Sequence, residues 1–126
     1  MNETSIPFLS NISSFVNTDG YTKEITKDLM ILVPAIEDYL QVKLTAKVLV
    51  CKSFISHLSR LLERIYGNQL IQGEQKRMNP VVRCDFDRHQ DNIRMIFNLL
   101  FPDIELTSIE IYFLVLYFAR LEHELS

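Results

Sequence analysis

Three glycines among 126 residues leave little material for a phosphate-cradling loop, and neither a GxSxG nor an HExxH signature occurs anywhere in the chain. Cysteine is almost as scarce. Cys51 and Cys84 stand apart, with no CxxC and no His at ligand spacing, so the chain offers neither a disulfide framework nor a metal-binding cluster, and both thiols are expected to be reduced and mostly buried. Positive charge is not in excess: 13 Lys and Arg against 16 Asp and Glu give a net charge of −3, which argues against direct binding to nucleic acid. The longest apolar run, IYFLVLYFA over residues 111–119, is well short of the roughly 20 residues that a membrane-crossing helix needs, so no membrane contact is expected. The opening MNETSIPFLSNISSF lacks a basic start and a continuous apolar stretch and does not read as a signal peptide. These absences together point away from an enzyme and toward a cytoplasmic protein without cofactor or metal.

What is present is helical patterning in a chain of the size of one domain. Residues 1–20, rich in Ser, Asn and Thr and closing on Asp19-Gly20, read as a flexible arm, with a single helical domain over 21–126. Ile25, Leu29, Leu32, Val33, Ile36 and Leu40 recur at three- and four-residue spacing, the mark of an amphipathic helix, with Pro34 inside it as a kink. Thr45 is the expected N-cap of a second helix running to Tyr66, where Gly67-Asn68 supply left-handed stop residues. Asn79-Pro80 opens a third segment carrying Val82, Phe86, Ile93, Ile96, Phe97 and Leu100, which the polar run DFDRHQDN at 85–92 is expected to interrupt and Pro102 to end. Thr107 and Glu110 form a T-x-x-E capping box ahead of the apolar run at 111–119, which is a helix that must be central to the bundle or lie at a subunit interface.

The residues able to carry chemistry are few. Val48, Cys51, Phe54, Ile55, Leu58, Leu62 and Ile65 share one broad stripe of the second helix, and His57 lies at its edge, with Arg60 and Arg64 following on the same side. An anion carried on that imidazole would meet two guanidinium groups. From the pattern alone, however, His57 reads first as a half-buried residue satisfied by a local hydrogen bond, and the arginines as a solvated flank. His89, among Asp85, Asp87 and Asp91, reads as a surface residue, and His123 as a cation suited to a helix C-terminus. Tyr112 and Tyr117 read as core aromatics.

The run HLSRLLER from His57 to Arg64, the Asn79-Pro80 pair, and ELTSIEIYFLVLYF over residues 105–118 together resemble the PTS regulation domain, an all-helical module of bacterial antiterminators and activators of sugar operons. The resemblance spans roughly residues 21–124. It implies a compact bundle of about five helices that forms a homodimer and is phosphorylated on histidine by a phosphocarrier of the sugar phosphotransferase system. Carried onto this chain, it puts the first phosphoacceptor on His57, with Arg64 seven residues on, and Arg60 and Arg64 as the groups that would steady a phosphoryl oxygen. The family's second acceptor position holds Tyr117 here, and a glycine of the same motif is Tyr112, so at most one acceptor of the family type remains. The expectation is a stand-alone regulatory protein in PTS-linked transcriptional control, acting through contacts with a phosphocarrier or with a regulator that contains the same domain. Two other readings compete with it: a structural dimerisation or adaptor module without phosphorylation, and a small-ligand accessory protein whose pocket includes Tyr112 and Tyr117.

Overall fold

A computed structural model describes residues 22–125, and the arm expected over 1–20 lies outside them. Every regular element among the described residues is an α-helix: α1 (Lys23–Leu40), α2 (Leu49–Tyr66), α3 (Pro80–Asn98) and α4 (Ser108–Leu125). That makes four helices among the described residues, close to the five or so expected. The segment at 85–92 does not divide α3, which runs unbroken through it. Its polar residues alternate with Phe86 and His89, which face inward and keep the apolar stripe continuous as far as Ile93, Ile96 and Phe97.

The helix starts follow from local chemistry. Thr22 Oγ1 accepts the Ile25 backbone N–H at 3.2 Å and caps α1. Asn79 Oδ1 accepts that of Val82 at 2.9 Å, with Pro80 in the first turn of α3, where its missing N–H costs nothing. The second helix departs from expectation. It begins at Leu49 with Val48 as an N-cap that makes no side-chain bond, while the Thr45 hydroxyl accepts from Lys47 N instead and closes a short turn. Buried Glu37 explains the displacement, because its carboxylate accepts the Leu44 N–H at 2.9 Å and holds the connector extended before the helix can start. At the far end of α2 the left-handed residue is Asn68 (φ 53°), and Gly67 keeps a negative φ of −85°.

α1 packs on α2 and α3, and α4 packs on the same two helices. All six residues of the α1 stripe, Ile25 to Leu40, are buried, as are Cys51, Phe54, Ile55, Leu58, Leu61, Leu62 and Ile65 of α2. Full burial of each large aliphatic side chain is worth about 1.5–3 kcal/mol relative to exposure. Cys84 departs from its expected burial: it lies on the solvent side of α3, two residues and therefore about half a turn from Phe86, whereas Cys51 is enclosed in the core. Within the apolar run of α4, Ile111, Leu114, Val115 and Phe118 are fully enclosed, and Tyr112, Phe113, Leu116 and Tyr117 form a half-buried outer stripe.

Candidate functional site

Phe113, Leu116 and Tyr117 of the outer α4 stripe, with Arg120, form one wall of a cleft of about 700 Å3. Phe113 and Tyr117, four residues apart, stand one above the other on the helix, and so do Leu116 and Arg120. α2 contributes His57 and Arg64, which lie seven residues apart and so share a face; α3 contributes Val82 and Asp85, and the connector between α2 and α3 contributes Ile71. His57 and Tyr117, distant in sequence, meet here with ring centroids 5.1 Å apart and planes inclined by 34°. Phe113 closes the other side of the imidazole, edge-on at 6.0 Å.

His57 is half-buried, as its place at the stripe margin foretold, but its Nε2 is buried and has no hydrogen-bond partner among the described residues. Leaving such a nitrogen unsatisfied costs about 1–3 kcal/mol. Burial, reinforced by the positive charge of Arg64 and opposed by Glu110, pushes the His57 pKa down, so the ring is neutral near pH 7.

The two arginines expected beside it have separate fates. Arg60 faces solvent, its side chain 67% exposed, and sits 3.6 Å from Glu63 one turn away; it is not part of the cleft wall. Arg64 is the opposite of a solvated flank. Its Nε and Nη2 donate to the two oxygens of Glu110 at 2.8 and 2.7 Å, a bidentate pair with a fully buried carboxylate. Glu110 is thereby drawn away from its expected capping role. Thr107 Oγ1 does accept the Glu110 N–H at 3.3 Å, but the Glu110 carboxylate takes Arg64 and the Ile71 N–H, the latter at 3.0 Å, in place of the return bond.

Arg120 is not among the candidate residues that the sequence singles out. It lines the cleft, is exposed, and has no carboxylate partner among the described residues. Its signal was available: position 120 follows Phe113 by seven residues and Leu116 by four, on the stripe that Tyr117 also occupies. Tyr112, grouped with Tyr117 as a pocket residue, packs against the core and Phe113 and is not a wall of this cleft.

His89 overturns its reading as a surface residue. It is 1% exposed and engaged at both nitrogens: Nδ1 lies 2.7 Å from the Tyr39 hydroxyl and Nε2 3.0 Å from Glu122 Oε1. A neutral ring satisfies both contacts, with Nε2–H donating to the carboxylate and Nδ1 accepting from the phenol. Arg88 grips the same carboxylate with two bonds of 3.0 and 2.9 Å, and the Glu122 pKa is lowered, chiefly by that guanidinium. Burial pushes the His89 pKa down, against the pull of Glu122. The Tyr39 pKa is raised, first by burial, so its hydroxyl keeps its proton and is no activated nucleophile.

Among the described residues no group of three or more His, Cys, Asp or Glu side chains is placed to hold a metal ion, and no helix is long and apolar enough to cross a membrane. Comparison with family models, with curated proteins and with solved structures finds no match to this chain.

Proposed function

We propose that this chain is a regulatory module of the PTS regulation domain type, acting through protein contacts in phosphotransferase-linked control of transcription, with His57 as the phosphoacceptor. The observation that carries the reading is the meeting of His57 with Tyr117, since these are the two positions at which the resemblance puts the family's acceptors, and they share one cleft with Arg64. The neutral imidazole is in the nucleophilic form. Its ring nitrogen would bond to phosphorus as the carrier's own P–N bond breaks, with no oxidant, metal or cofactor consumed. Because Nε2 is sealed from water, transfer to that atom requires the ring to turn outward past Tyr117.

A phosphoryl group adds about −1.5 to −2 charge at neutral pH. Arg64, already engaged by Glu110, would have to divide its donors between the two anions, which loosens the joint between α2 and α4; Arg120, which has no ion-pair partner among the described residues, lines the same cleft and could receive the new charge, whereas Arg60 would have to turn in from solvent. Regulation would then pass to a homodimer contact or to a partner regulator, and exposed apolar side chains such as Val81, Met95 and Leu99 give such contacts room to form.

The test is phosphoryl transfer from a purified phosphocarrier of the sugar phosphotransferase system. An acid-labile, base-stable label is expected on the wild-type chain and on His89→Ala and His123→Ala, and none on His57→Ala. A label that survives in His57→Ala, or a wild-type chain that takes none, overturns the assignment.

A further inference from the structure

We propose that the cleft walled by His57, Phe113, Tyr117 and Arg120 binds a small aromatic anion, a flat apolar body bearing one carboxylate or sulfonate. Its volume of about 700 Å3 falls in the range of small-molecule pockets. The walls come from α2, α3, α4 and the connector between α2 and α3, so the cleft is a half-open hollow between elements and not a groove along one helix. Phe113, Leu116, Tyr117, Ile71 and Val82 supply the apolar lining, and the two aromatic rings with the His57 imidazole form a stacking surface.

Charge selects the occupant. Three charged side chains line the cleft besides the His57 ring: Arg64 is neutralised by Glu110, and Asp85 lies 3.1 Å from Arg88, which it shares with Glu122. Arg120 alone among these three has no ion-pair partner among the described residues, which puts an unpaired guanidinium beside the apolar platform. An uncharged aromatic would use only the platform, and a cation would meet Arg120 unfavourably. An aromatic monoanion uses both. The inference stands apart from phosphoryl transfer, since it requires no covalent step and no phosphocarrier.

The full chain is titrated with two fluorescent probes, anilinonaphthalene sulfonate and its uncharged counterpart N-phenylnaphthylamine, which share an aromatic body and differ by the sulfonate. Saturable binding of one sulfonate dye per chain is expected, with shifts in the His57 ring resonances and not in those of His89. Arg120→Gln, a change at an exposed position that leaves the fold intact, should weaken the sulfonate dye about tenfold or more, as loss of a charge-assisted bond does, and the neutral dye less than about twofold. Arg120→Lys should restore most of the difference. Equal weakening of the two dyes, a dye that shifts His89 and not His57, or an oligomer that buries Arg120 and leaves the dye no saturable site would each overturn the proposal; the last would mean that a second copy covers this face.

Discussion

The two histidines of the described core stand in opposite relations to their surroundings. His89 is almost completely enclosed, yet both of its nitrogens are bonded, to Tyr39 on α1 and Glu122 on α4. His57 is less enclosed, yet its buried Nε2 has no partner among the described residues. Burial lowers both pKa values, so titration alone would not tell them apart. The difference lies in satisfaction. His89 ties three helices together and has no bonding capacity left over, whereas His57 keeps a nitrogen and an aromatic platform for something else. Depth of burial is therefore a poor guide to which histidine has chemistry to offer.

The largest test of this contrast removes the ion pair behind each ring. Arg64→Ala leaves the fully buried Glu110 carboxylate without its guanidinium and is expected to cost about 3–5 kcal/mol in urea unfolding. Arg88→Ala, whose side chain is 49% exposed, should cost only about 0–1 kcal/mol. Comparable losses would mean that the His89 side of the bundle is as tightly held as the His57 side.

A smaller effect sharpens the histidines themselves. His89→Ala leaves a void in the core and unpairs the Tyr39 hydroxyl and is expected to destabilise by about 3 kcal/mol. His57→Phe keeps the ring stacked on Tyr117 and removes the unsatisfied nitrogen, so it should be neutral or stabilising by up to about 1 kcal/mol in thermal unfolding. A loss of several kcal/mol in His57→Phe would reveal a hydrogen bond to that nitrogen.

The smallest effect is the pH dependence. Both rings have folded pKa values below the ordinary histidine value of about 6.5, so below that pH the unfolded chain binds more protons than the native one. The stability in question is fully present above about pH 6.5 and declines as the pH falls toward the folded pKa values, by at most about 1.4 kcal/mol per pH unit for each ring. Glu122 acts lower: its pKa lies below 4.5, so its contribution is kept above that pH and lost as the pH falls through its lowered value. Urea midpoints measured from pH 7.5 downward should begin to fall near 6.5, less so in His57→Phe, and a flat profile to pH 5 would contradict both shifts.

The helical class and most of the core were legible because they follow a period. The α1 stripe is buried as spacing required, and so is the α2 stripe except for Val48, which precedes the helix and is half-buried. His89 was misread because the run DFDRHQDN was weighed by composition: Phe86 three residues before it and Ile93 four after put His89 on the buried stripe despite its charged neighbours. Glu110 was recognised for its place after Thr107, but its bonds to α2 and to the α2–α3 connector join segments that are far apart in sequence, and no local pattern encodes them. The same holds for Arg120, whose lack of a counter-ion depends on where every carboxylate of the bundle falls. His57 at a stripe margin was readable; the absence of a partner for its Nε2 was not.

The connector between α2 and α3 has no helix of its own, and it is fastened to the start of α4 at three points. The Ile71 N–H enters the Glu110 carboxylate, the Thr107 hydroxyl donates to Ile71 O at 2.6 Å, and Ile109 N–H reaches Gly73 O at 3.2 Å. Such a strap cannot peel away singly, because releasing Ile71 also strips Glu110 of a donor and frees the first turn of α4. Strap and helix start therefore form one cooperative opening unit, less stable than the core beneath, through which a disturbance in the cleft would surface as faster amide exchange and proteolytic nicking near Gly73.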